Sequence, residues 1–123
     1  TDFVNKGAGL LFVMTNDGWW KDTPGYRQHF AYARLRAVET RRSVARSANT
    51  GISGFINQKG EVLQKTNWWE DDVIRATLHA NDEMTFYVRY GDFLGRICAF
   101  FSLLIIAYAI VRSVNKKGNS WRT

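Results

Sequence analysis

The chain has 123 residues, 46% of them hydrophobic, which is enough for one modest domain with a packed core and argues against disorder. A single cysteine, Cys98, excludes an internal disulfide framework, and two histidines beside it give no spaced set of metal ligands. The formal net charge of +6 invites an anionic partner. It falls in two groups, Arg34, Arg36, Arg41, Arg42 and Arg46 in one segment and Arg112, Lys116, Lys117 and Arg122 at the end.

The opening TDFVNKGAG has no initiator Met and no basic stretch ahead of an apolar one, so it does not read as a signal peptide. The chain is expected to begin in mid-domain, as a piece of a longer protein. Residues 10–15, LLFVMT, are a continuous apolar run bounded by Gly9 and Asn16, which predicts a strand buried on both faces. NDGWWKDTPG comes next as a loop, with two adjacent indoles, Trp19 and Trp20, directly after a polar turn.

From Tyr26 to about Arg42 the pattern is helical. Tyr26, Phe30, Ala33 and Ala37 form the inward stripe, widened by Ala31, Leu35 and Val38. Thr23 is placed to cap it, with Pro24 at the first helical position. SVARSANTGISGFINQKGEVLQK then predicts short strands turning at 49–51 and 58–60, the last strand lying in 61–65. WWEDD is a loop, DVIRATLHA alternates weakly and predicts another strand, and MTFYVRYGDF predicts an extended approach to the apolar segment beyond it.

Residues 97–111, ICAFFSLLIIAYAIV, carry no charge and are apolar all round. With FLGR in front, the run over 93–112 approaches the ~20 residues that a bilayer span needs, provided Arg96 snorkels to the headgroups. A buried core helix is the competing reading. The basic residues after it favour the membrane, and positive flanks stay cytoplasmic, which puts the preceding domain on the outer side.

Taken in order, these pieces resemble a known family. A strand ending in TND-W, a helix carrying ARLRAVETRR, and a strand–turn with ARSANTGISGFINQKGEVL are similar to the second half of the nitrilase (carbon–nitrogen hydrolase) domain. QHFAYARLRAVE, and YVRYGDF just before an apolar helix, resemble one branch in particular, the apolipoprotein N-acyltransferases. The resemblance covers roughly residues 1–112. It implies an α/β fold: the C-terminal half of a nitrilase-like αββα sandwich over 1–92, one transmembrane helix over 93–112 and a basic cytoplasmic tail over 113–123. It implies a bacterial inner-membrane enzyme with its nitrilase-like domain on the periplasmic side.

The implied activity moves an acyl chain from a phospholipid donor to the N-terminal amine of a diacylglyceryl-cysteine lipoprotein acceptor. It proceeds through a Cys thioester and needs no cofactor or metal. The family's Glu–Lys–Cys triad lies upstream of the motifs present here, so none of the three maps onto this chain, and the chain alone is expected to be inactive. Cys98 does not fill the gap. It sits among apolar residues, which raise a thiol pKa, and Arg96 two positions away faces elsewhere on a helix.

Asn16, Asp17, Trp19 and Trp20 are the candidate rim of the substrate pocket, since ligand sites gather at strand carboxyl ends in α/β sheets. The plainer reading is an Asx turn and then two core-facing rings. Arg46, next to SANTG, is the candidate phosphate contact, because guanidinium matches phosphate oxygens; a solvated arginine face is the alternative. His29 is expected to be a hydrogen-bonded helix residue near the loop. Glu39 is expected to form a helix ion pair with Arg36 or a neighbour at the next turn, and Gly51 of the N-x-G motif to permit a tight turn. Tyr87, Tyr90 and Phe93 suit a membrane–water interface, with ordinary core aromatics as the alternative.

No nucleic-acid motif is present and no nucleic-acid partner is expected. Two other readings stay open: a fragment of a soluble nitrilase-family amidase, and a non-catalytic membrane-anchored binding module.

Overall fold

The computed structural model describes residues 1–119, with side chains as far as residue 113. The chain divides into two compact units, Thr1–Gly91 and a second beginning at Asp92.

In the first unit a short helix α1 (Asp2–Asn5) leads into strand β1 (Leu10–Asn16). A single 3-10 turn, Gly18–Trp20, precedes helix α2 (Gly25–Thr40), and after it come strands β2 (Ser43–Asn49), β3 (Gly54–Ile56) and β4 (Val62–Lys65). The four strands form one mixed sheet in the order β1-β2-β3-β4. β1 and β2 are parallel, joined through α2, and β2–β3 and β3–β4 are antiparallel. The parallel register runs from Leu10 opposite Ser43 to Asn16 opposite Asn49. The TND and NTG motifs, far apart in the chain, therefore emerge side by side at the strand carboxyl ends.

The core lies between α2 and one sheet face. Tyr26, Phe30, Ala33 and Ala37 are all buried, as their spacing requires, and Phe30, Ala33 and Ala37 pack with Val44 and Ile56. The widened stripe is not buried: Ala31, Leu35 and Val38 are exposed, because a helix packed on one sheet turns only one band of its surface toward it. Pro24 stands at the N-cap itself, one position before the expected one, while Thr23 donates to the Trp20 carbonyl at 2.6 Å.

β1 departs from expectation on one side. Leu11 and Val13 pack toward α2, whereas Phe12 is 75% and Met14 87% exposed. A strand with two apolar faces needs a cover on each, and this chain supplies only α2. The residues expected as a strand over 72–80 form none. That stretch runs without regular structure and is held by side chains: Ser43 and Gln58 donate to the His79 carbonyl. The extended approach expected from MTFYVRYGDF instead contains a five-residue helix, α3 (Phe86–Tyr90), whose N-cap Thr85 accepts from the Val88 N–H at 3.1 Å.

The second unit is helix α4 (Phe93–Asn119), begun by Asp92, whose carboxylate accepts from the Gly95 N–H at 2.9 Å. Phe93–Ser113 is 21 residues, long and apolar enough to cross a membrane by length and composition. At 1.5 Å per residue it reaches ~31 Å, the thickness of a bilayer's hydrocarbon core. The helical backbone continues past the expected span as far as Asn119, and Arg122 of the expected tail lies outside the described residues.

Candidate functional site

The carboxyl ends of β1 and β2 carry the polar turn that precedes the two indoles. Asn16 caps this turn: its side-chain oxygen accepts from the Gly18 N–H at 3.0 Å, an Asx turn. Asp17, next in line, is fully buried. Its Oδ2 accepts from Arg46 Nη2 at 2.6 Å. Its Oδ1 accepts from Thr15 Oγ1 at 3.3 Å and lies 2.8 Å from His29 Nδ1. His29 Nδ1 also lies 3.2 Å from Arg46 Nη2, so a proton on Nδ1 would serve Asp17 and a lone pair there would serve Arg46.

Arg46 is buried as well, and its remaining donors face inward. Nε reaches the Ile52 carbonyl at 3.2 Å and Nη1 the His29 carbonyl at 3.3 Å. The arginines therefore do not form one solvated face, because Arg42 and Arg46 are buried. Arg46 comes two residues after Val44, the side-chain period of a strand, so it points into the same interior, where a guanidinium must find acceptors for its donors. A phosphate would have to displace Asp17 to be held in the same way.

Gly51 completes the arrangement for a reason other than turn conformation. Its φ is ordinary, and the left-handed residue of the N-x-G motif is Thr50, at φ 58°. What Gly51 needs is space: a Cβ there would collide with the Asp17 side chain.

The two indoles differ. Trp20 is partly covered: it lies over Gly25, where a Cβ would strike its ring, and its ring centre is 6.4 Å from that of His29. Trp19 is 84% exposed, so it is not a core-facing ring. Beside the turn, Asn49, Thr50, Gly51 and Trp69 line a shallow cleft of about 290 Å³ whose far wall is the acidic run Glu70–Asp72. The Trp69 backbone N–H donates to the Thr50 carbonyl at 2.9 Å, and Trp68 stacks on Tyr26 with ring centres 5.2 Å apart.

All the residues expected at the rim therefore meet at one end of the sheet, with Arg46 and His29 joining them from below. The union of Asp17, His29 and Arg46 goes beyond the sequence-based expectations. The signal for it is an arginine at an inward position of a strand, two residues after Val44, which calls for an acceptor nearby. Glu39 pairs with Arg36 at 2.6 Å as expected, on the exposed side of α2 and away from this cluster. Cys98 is exposed on α4.

The pattern of carbon–nitrogen hydrolases matches residues 2–84, which include the whole sheet, α2 and the Asp17 cluster. The chain belongs to the carbon–nitrogen hydrolase family. Within that family it is similar to proteins named apolipoprotein N-acyltransferase. It is 37% identical to the one from Chlorobaculum tepidum over 110 residues, 89% of this chain and 21% of that protein. It is 45% identical to the Agrobacterium fabrum protein over 83 residues, 66% of this chain and 16% of the relative. It is 33% identical to the Thermotoga maritima protein over 116 residues, 94% of this chain and 23% of the relative. The chain thus spans about a fifth of the length of these relatives.

Proposed function

We propose that this chain is the C-terminal part of an apolipoprotein N-acyltransferase. Such an enzyme moves an acyl chain from a membrane phospholipid to the N-terminal amine of a diacylglyceryl-cysteine lipoprotein. The observation that carries the reading is the likeness to N-acyltransferases across 94% of the chain, through the sheet domain and into the apolar helix α4. A soluble amidase has no use for a mostly apolar helix of 21 residues, long enough to cross a membrane, after its hydrolase fold.

In this reading α4 crosses the bacterial inner membrane with the hydrolase-like domain on the periplasmic side and the basic end in the cytoplasm. The open face of β1, with Phe12 and Met14, receives the second sheet of an αββα sandwich contributed by the rest of the parent. The Glu, Lys and Cys of the triad belong to that same preceding part. The Cys thiolate attacks the donor's ester carbonyl and releases a lysophospholipid; the acceptor amine then attacks the thioester and frees the thiol. Asn16, Asp17, Trp19 and Trp20 stand at the pocket rim, where exposed indole suits an acyl chain. Arg46 acts from beneath the rim.

The test is transfer by the full-length parent in detergent, with a phospholipid bearing a labelled acyl chain and a diacylglyceryl-cysteine peptide. Mass spectrometry is expected to find N-acylated peptide and lysophospholipid in equal amounts. Hydrolysis of a small amide without transfer would identify an amidase instead. The 123-residue chain by itself, given the same donor, is expected to form no thioester. Acylation of Cys98 with turnover would contradict the assignment of chemistry to the upstream triad.

A further inference from the structure

Asp17 is out of solvent, and both of its oxygens are occupied by Arg46, His29 and Thr15. Its burial keeps it from touching a substrate directly. A buried ion pair is also a poor way to gain stability, because desolvating both charges offsets much of their attraction. What such a pair supplies is orientation. Here it joins the end of β1 to the middle of β2 and the first turns of α2, and Gly51 lets the neighbouring turn close over it.

The loop above is fixed on both sides of Trp19. On the entry side stand Asp17 and the Asx turn of Asn16; on the exit side Trp20 is wedged over Gly25 beside His29. Between these anchors the Trp19 indole is held outward, although a large apolar ring favours burial. The loop leaves it little freedom to fold back.

We infer that Asp17, clamped by Arg46 and His29, is a positioning residue that presents Trp19 to the acyl chain of the phospholipid donor. This rests on the acyltransferase reading above. Trp19 makes the contact, and the three residues beneath it act only through it.

The experiment is a mutant cycle in the full-length parent, reading kcat and the donor KM separately. Asp17→Asn keeps the shape and removes the charge. It is expected to raise the donor KM about tenfold with kcat changed less than about twofold. Trp19→Ala is expected to do the same. The double variant is expected to be no worse than Trp19→Ala alone, since the clamp has nothing left to present. His29→Gln keeps a donor at a partly exposed position and is expected to raise KM about threefold. It completes the same cycle with Trp19→Ala should Asp17→Asn fail to fold.

Independent, multiplying losses in the cycle would overturn the positioning role while leaving the acyltransferase reading intact. A fall in kcat at unchanged donor KM would do the same. A wild-type parent that transfers no acyl group would overturn both.

Discussion

Arg42 and Arg46 are both buried, Arg42 just before β2 and Arg46 within it, yet their surroundings differ in kind. Arg42 donates to carbonyls: Ala8 at 2.7 Å, Glu83 at 2.7 Å and Thr40 at 3.1 Å. No carboxylate faces it in these contacts. Its countercharge is partly the C-terminal end of α2, where the last carbonyls carry the negative end of the helix dipole. It ties together the start of β1, the end of α2 and the irregular segment before α3. Arg46 has a carboxylate, and that carboxylate is carried by the loop that leads to Trp19. Stapling chain segments needs only backbone acceptors. Setting one loop in one place uses a side-chain anion that the loop itself carries.

By this contrast, damage at the two arginines' surroundings should read out differently in the full-length protein. The largest effect is expected from Arg42→Ala, which removes the donor to the Ala8, Thr40 and Glu83 carbonyls, Thr40 being buried, and should destabilise folding by about 3 kcal/mol in denaturant titration. Transfer activity per folded molecule should stay unchanged. Asp17→Asn should cost about 2 kcal/mol, leaving Arg46 with a weaker acceptor, and should lower donor affinity beyond what unfolding explains. Gly51→Ala pushes a methyl group against Asp17 and should cost about 1–2 kcal/mol, with a rise in donor KM in the same direction as Asp17→Asn. A Gly51→Ala protein with lowered stability and an untouched KM would separate the turn from the rim.

Much of this arrangement is legible in the sequence, for physical reasons. The apolar spacing of α2, the turns at 49–51 and 58–60 and the Arg36–Glu39 pair depend on neighbours a few residues away, and local patterns carry them. The run LLFVMT signals two buried faces, but burial on the second depends on a cover that residues 10–15 cannot encode. DVIRATLHA alternates like a strand yet pairs with none, because side chains of β2 and the hairpin claim the carbonyl of His79. The Asp17–His29–Arg46 cluster lies beyond sequence pattern because its members stand on three elements, and the parallel register of β1 and β2 brings them together. Each of the three residues stands out singly in the sequence, and the tertiary fold supplies their union.

The smallest effect on folding and the most direct test fall on the same residue. Trp19→Ala removes a ring that is 84% exposed, so the unfolding free energy of the full-length protein should move by less than about 0.5 kcal/mol. The same variant should lose about tenfold in acyl transfer at low donor concentration. That separation of function from stability is what a substrate-facing indole held from below predicts. Parallel loss of stability and transfer, in the proportion that unfolding alone explains, would contradict it.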